Sequence, residues 1–394
     1  MDNKKSFAIG LATGILFMFI AIFGYTVYER HAHWGGRVDP NSKILEIYSL
    51  LNEVSIMQLD KDAMLENMYR GFLDAVGDPY TQYFDRQALE AFRQRTEGDF
   101  VGIGVNAIMD TESGRVTIIS SFRDSPAAKA GVLPGDQVVV IDGADMAGRS
   151  TEDVFNRIRG PEGAPVSITF FRPYENKHYD VTIIRAQMAI PTVFHEMKPG
   201  QIGYIRIEGF NLNTRPQFQE AMEELTAKGM EAIILDVRNN PGGVLDVVTY
   251  ITNYFVPEGV ITYVVDASGR RRDHNADADY LGLPLAVLIN GRSASASELL
   301  AGAIKDTGMG VLVGEVTFGK GIVQHMYTIS DGSAVKTTVA EYFPPSGTPI
   351  HSVGVAPDIE VEMEESRSRM IGRLTLEEDV QLMAAIRALN EIMD

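Results

Sequence analysis

The chain has 394 residues, a formal net charge of −18 and an apolar fraction of 45%, which allows two or three domains with sizeable cores. Its acidity argues against nucleic acid, whose phosphates need clustered Lys and Arg, and against adhesion to anionic lipid head groups. It has no cysteine, which excludes a thiol nucleophile, a Cys-ligated metal, disulfides and a lipidated N-terminal cysteine.

From Phe7 to Val27 no residue is charged, with Lys4-Lys5 before the run and Glu29-Arg30 after it. As a helix it spans roughly 30 Å, a bilayer core. The rival is a cleaved signal peptide, but the run is longer than a usual apolar signal segment and no small-x-small site closes it. The expectation is an uncleaved transmembrane signal anchor over residues 6–28 with the remainder outside the cytoplasm. A Gly- and Pro-containing linker comes next. Apolar residues at Ile44, Ile47, Leu51 and Val54 then make a helical stripe, a packing or dimer contact rather than a site. A second helix over about 63–76 stops at Gly77-Asp78-Pro79, completing a helical N-terminal region over 41–97.

From 98 to 187 the pattern turns to short strands and Gly-rich turns. Val101-Gly-Ile-Gly-Val105 opens it, then come Ser125-Pro-Ala-Ala-Lys-Ala-Gly131 and Leu133-Pro-Gly-Asp136. Asp142-Gly143 reads as a turn, 151–158 as a helix, and 166–172 and 179–184 as strands. From 188 to 361 strands and helices alternate, with near-continuous apolar strands at 232–237 and 284–290. That is a layered α/β core. The tail, 362–394, carries apolar positions at Leu382, Ile386, Leu389 and Met393, and Thr375-x-x-Glu378 reads as the capping box that starts its helix.

The chemistry concentrates in two segments. Ser293-Ala-Ser-Ala-Ser297-Glu298 lies at a helix mouth, and Thr317-Phe-Gly-Lys320-Gly-Ile-Val-Gln324 comes after it. Serine needs an adjacent base, and a desolvated lysine can be one. Ser295-x-x-Glu298 is equally a capping box, so the residues alone leave Ser295 open between helix cap and nucleophile. Gly314 to Lys320 satisfies the front of a phosphate loop, but Gly321 stands where Ser or Thr must bind Mg²⁺, and the next residues have a strand pattern. The turn Asn239-Asn-Pro-Gly-Gly243 succeeds a buried strand, where α/β sheets place ligands. The seven histidines are scattered and build neither a Ser-His-Asp set nor a metal site. No cofactor is expected.

These strings, in this order, resemble the carboxyl-terminal processing (tail-specific) proteases, serine peptidases with a Ser-Lys dyad. The likeness covers about 42–359 and includes Gly77-Asp-Pro-Tyr-Thr-Gln-Tyr-Phe84. It implies an α/β fold with a crotonase/Clp-protease-like layered core, a PDZ domain over 98–187, a helical N-terminal region and the transmembrane helix. By resemblance Ser295 is the nucleophile, Lys320 its base and Gln324 the group that orients the lysine. The N–H groups of Gly243 and Ala296 form the oxyanion hole. The PDZ loop Val101-Gly102-Ile103-Gly104 offers its N–H groups to a C-terminal carboxylate. Arg159 matches a basic position of the family, with a sensing or gating role. The partners so implied are C-terminal tails of substrate proteins, at a bacterial cytoplasmic membrane with the catalytic part in the periplasm or extracytoplasmic space. An adaptor or regulator protein and a homo-oligomer remain open. A silent membrane-bound PDZ adaptor is the alternative, opposed by the intact Ser295, Lys320 and Gln324. A crotonase-like acyl-transfer enzyme for a small molecule would have no use for the PDZ module.

Overall fold

The computed structural model describes residues 40–393 except 112, 123, 278 and 279. The expected anchor over 6–28 lies outside the described residues. Among the described residues no helix is long and apolar enough to cross a membrane. The described residues fall into two compact units, divided after Phe72. The first contributes helix Pro40–Val54 and most of helix Lys61–Asp74.

The second unit is built on a six-stranded sheet in the order Val193–Lys198, Ile202–Ile207, Ala232–Asp236, Leu285–Ile289, Val311–Gly314, Ile359–Glu360. The first pair is antiparallel and the rest are parallel. Strand alternation sends Ile205, Ile207, Ile233, Leu235, Val287 and Ile289 to one face, where they are buried with residues of helices Thr214–Ala227, Leu245–Asn253 and Ala296–Thr307. Tyr204, Ile234, Ala286, Leu288 and Val313 are buried on the other face with Leu382, Ala385 and Leu389 of helix Val380–Met393. Both faces are covered, which is why these strands read as continuous apolar runs.

Beside this core stands a five-stranded sheet. Its order is Gln82–Phe84, Ala334–Phe343, Gly259–Asp266, Arg271–Ala276, and Ile322–Thr328 also pairs with Ala334–Phe343. The hairpin 259–276 and the strand 334–343 are not foreseen by periodicity, nor is helix Arg86–Glu97. The tail also differs from expectation. Thr375 N–H does donate to Glu378 Oε2 at 2.9 Å, but that closes a turn ahead of the helix. The helix begins at Val380, and Asp379 caps it by accepting from Leu382 N–H at 3.0 Å.

The region after residue 98 forms a sheet in the order Val105–Asp110, Arg115–Ser121, Gln137–Ile141, Pro165–Arg172, Lys177–Ile184, with Ala144–Asp145 alongside. Helix Thr151–Ile158 buries Val154 and Ile158 in its core. Asp142 and Gly143, at φ 47° and 79°, make the expected turn. Two buried arginines staple the module. Arg172 forks onto Asp136 at 2.7 and 2.9 Å, and Arg185 donates to the carbonyls of Arg157 and Ile158 at the end of the helix. The Asp of Leu133-Pro-Gly-Asp136 is thus a buried ion-pair partner.

Candidate active site

The three serines separate by their partners. Ser293 is buried and its hydroxyl donates to Val237 O at 2.8 Å while accepting Asn290 N–H at 3.0 Å. Ser297 is buried and donates to Asn240 O at 3.0 Å. Both hydroxyls bind the segment after strand Ala232–Asp236. Ser295 instead sits at φ 54°, ψ −115°, a conformation L-residues avoid, and its hydroxyl makes no capping bond. The capping-box arrangement is present, but its one hydrogen bond is Glu298 reaching back to accept Ser295 N–H at 2.8 Å. The strained turn lifts the uncommitted hydroxyl into a cleft of about 570 Å³, at the start of a helix whose dipole favours negative charge there.

Lys320 and Gln324 line the same cleft. Lys320 Nζ donates to Gln324 Oε1 at 3.1 Å and lies 4.7 Å from the centroid of the Tyr80 ring. Gln324 is held in turn, its Nε2 donating to Tyr80 O at 2.6 Å. No hydrogen bond joins Ser295 Oγ to Lys320 Nζ. Half-burial lowers the lysine's pKa, opposed by the carboxylates of Asp78 and Glu298. The segment after the Gly77-Asp78-Pro79 stop therefore belongs to the lysine's surroundings. Asp78 itself accepts from Thr81 at 2.7 Å and from Thr338 at 2.8 Å.

Glu298, fully buried, ties the serine turn to the lysine loop. Its Oε2 accepts the N–H groups of Ser295 and Lys320, each at 2.8 Å, and its Oε1 accepts from Thr317 Oγ1 and Gly319 N–H at 2.7 and 2.6 Å. Opposite it the Tyr342 hydroxyl is shared between Ser295 O at 2.7 Å and Lys320 O at 2.6 Å. Sequence reasoning missed both roles, having taken Glu298 only as a cap. Lys320 leads into strand Ile322–Thr328, not into the helix a phosphate loop must open.

The turn 239–243 meets Ser295 through its glycines. At Gly242, φ 100°, a Cβ would come within 2.8 Å of Ser295 Cβ and 2.9 Å of Ala296 N. At Gly243, φ 151°, it would meet Phe210 O at 2.2 Å. Among the described residues the N–H groups of Gly243 and Ala296 have no hydrogen-bond partner, although both residues line the cleft. The turn is suspended from a buried network that sequence reasoning also missed. Arg238 forks onto Asp236 at 2.9 and 2.6 Å and onto Asp379 at 2.8 Å twice, and Tyr204 donates to Asp236 at 2.7 Å. Asn290 and Asn239 cross-link the turn by Asn239 N–H to Asn290 Oδ1 at 3.0 Å.

In the PDZ-like module the loop 101–104 is partly committed. Val101 and Gly102 pair with Gln187 and Ala186 in a two-stranded ladder. Ile103 and Gly104 are buried, and among the described residues their N–H groups have no partner. Gly104, φ 79°, packs where a Cβ would lie 2.4 Å from Ser125 Cβ. The strand after it, Val105–Asp110, is at the edge of its sheet. Arg159 is exposed after the module's helix, apart from the cleft's lining. Among the described residues no group of His, Asp and Glu could hold a metal ion.

Comparison with known proteins finds relatives of both the core and the module. Residues 201–361 match peptidase family S41 and residues 119–172 match the PDZ domain. The chain is 35% identical, over 86% of its length and 71% of the relative's, to a carboxy-terminal processing protease of Bacillus subtilis. It is 34% identical to a carboxyl-terminal-processing protease of Synechocystis, covering 80% of this chain and 74% of that one. Among solved structures, a photosystem II D1 C-terminal processing protease is 32% identical with a TM-score of 0.47, covering 82% of this chain and 87% of the other.

Proposed function

Since the chain belongs to peptidase family S41 and is a carboxy-terminal processing serine protease, we propose that it cuts through a Ser295–Lys320 dyad. The observation that carries this reading is the partnering of the three serines: Ser295 alone keeps its hydroxyl free, on a strained turn, in the cleft that Lys320 enters. Neutral Lys320 takes the Ser295 proton as Oγ attacks the scissile carbonyl. The oxyanion so formed accepts from the N–H groups of Gly243 and Ala296. The lysine then gives its proton to the leaving amine, the acyl-enzyme forms, and water repeats the sequence. Gln324, itself held by Tyr80 O, aims the lysine side chain.

The PDZ module supplies the tail specificity. A substrate C-terminus adds as a strand along the edge strand Val105–Asp110, with its carboxylate on the N–H groups of Ile103 and Gly104. Residues 6–28 anchor the chain in a bacterial cytoplasmic membrane with the protease outside. The test is labelling with a serine-reactive fluorophosphonate. Wild type should label and Ser295→Ala should not, and cleavage by a purified Ser295→Ala protein would refute the mechanism.

A further inference from the structure

The cleft contradicts the charge of the chain that builds it. The protein carries a formal charge of −18, yet the cleft is lined by Arg95, Lys320 and Lys336 and by no Asp or Glu. Lys320 serves as the base of the dyad. Lys336 and Arg95 have no part in that chemistry.

Lys336 lies on strand Ala334–Phe343, opposite Gln82 on one side and Met326 on the other. Its Nζ stands 5.3 Å from the centroid of Phe84 and 5.5 Å from that of Phe92, rings that meet edge to face. The two rings hold the ammonium by cation–π attraction and strip water from its stem. Burial, then repulsion from Lys320, lowers its pKa. Arg95 lies three positions beyond Phe92 on helix Arg86–Glu97, so the two share a helix face toward the cleft. Among the described residues neither cation pairs with a carboxylate. A half-desolvated lysine with no counter-charge is costly to keep, and an arriving anion would offset that cost. A concave site of one sign also concentrates the opposite sign from solution.

We propose that Lys336, with Arg95 at the rim, is a specificity site that takes a carboxylate of the substrate chain bound in the cleft. The carboxylate belongs either to an acidic side chain near the scissile bond or to the terminus of a short leaving piece. This rests on the reading that the Ser295 cleft is where peptides are cut.

Binding separates the two ideas. Fluorescent peptides with an apolar C-terminal tail are offered to the full-length Ser295→Ala protein, with Asp exchanged for Asn at each position in turn and with the terminus free or amidated. At one position, or at the terminus, the acid should bind at least about tenfold more tightly than its neutral counterpart, about 1.4 kcal/mol. That ratio should collapse toward one in Ser295→Ala/Lys336→Met, shrink in Ser295→Ala/Arg95→Met, and persist in Ser295→Ala/Lys336→Arg. A ratio is read within one protein, so partial misfolding does not imitate its loss. Equal affinities for every acid and neutral pair overturn the proposal. So does an internal-acid preference, read on amidated peptides, that survives Lys336→Met, and so does a terminal preference that Lys336→Met leaves undiminished with no internal one beside it, since that preference is the 101–104 loop's. The cleavage reading fails separately, if the protein with Ser295 intact cuts none of these peptides.

Discussion

Glu298 grips Lys320 by its backbone, accepting the Lys320 N–H at 2.8 Å while the ammonium donates to Gln324, and its charge reaches the ammonium only without a hydrogen bond. The same oxygen holds Ser295, so one buried carboxylate fixes the spacing of the two loops. Glu298→Ala strands several buried donors and should cost about 3 kcal/mol or more, since each unsatisfied group costs ~1–3. Glu298→Gln keeps the shape but turns an amide NH₂ toward N–H groups. It should fold with a lower Tm and lose at least about tenfold in kcat, given how sharply rate depends on placement. A Glu298→Gln enzyme with wild-type kcat would contradict this role.

With the proposed dyad, the lysine sets the acid limb of the pH profile. Lys320 must be neutral to accept a proton, so kcat/KM should rise with pH through a pKa lying below that of ordinary lysine. Asp78 stabilises the ammonium and so raises that pKa. Asp78→Asn removes the charge, lowers the pKa further and should move the limb to lower pH. Asn keeps one oxygen for the Tyr80 N–H, and its NH₂ can donate to the hydroxyls of Thr81 and Thr338 instead of accepting from them, which keeps the loop. Lys320→Arg stays protonated and should be inactive at every pH. A limb that moves upward in Asp78→Asn would oppose this electrostatic account.

Strain at Ser295 is separable from chemistry. A non-glycine residue at φ 54°, ψ −115° stores about 1–3 kcal/mol. Ser295→Gly releases it, less ~0.4–1 kcal/mol of added chain freedom when unfolded. The inactive Ser295→Gly should therefore be more stable than wild type by about 1 kcal/mol, whereas Ser295→Ala, equally strained, should melt near wild type. Ser297→Ala should lose about 1 kcal/mol for one missing buried hydrogen bond and Ser293→Ala about 2 kcal/mol for two, and both should still label with fluorophosphonate. Thermal melts of the four variants decide it.

Arg238 sits between two buried carboxylates, and Arg238→Met leaves both without their partner. A loss of about 3–5 kcal/mol is expected. Burial pushes the Asp379 carboxyl up, but Arg238 holds it below the usual range. A depressed carboxyl contributes stability above its unfolded pKa, and that contribution is lost as pH falls through the folded value, below pH ~4. In Arg238→Met burial is opposed only by the Leu382 N–H and the charge of Lys198, so acid unfolding should begin at a higher pH. Denaturant melts from about pH 3 to 7 would show the shift or its absence.

Much of the fold was legible because one physical rule decided it. Strands such as Ala232–Asp236 and Leu285–Ile289 are covered on both faces, so their apolar runs are unbroken. The hairpin strand Arg271–Ala276 is largely exposed and reads as a polar loop. At the site, Ser295 could not be told from a cap by local pattern, because the decision lies in distant partners. Val237 O and Asn240 O occupy the neighbouring hydroxyls, and no spacing rule announces that. Lys336 and Arg95 were invisible for the same reason: their nearness is made by a sheet register between Gln82 and Lys336. The tail cap was misplaced because Thr375 and Glu378 do form their bond, only one turn early.

The pairing of Arg238 with Asp379 spans 141 residues. During synthesis or export the segment that bears Arg238 emerges long before Asp379, and until then the guanidinium has only half of its buried partners. The 239–243 turn beside Ser295 is thus finished late, after the sheet and the serine helix are already out. A newly made chain passes through a stage with Ser295 present and its turn unsecured, a built-in delay between having the parts of the cleft and having them fixed.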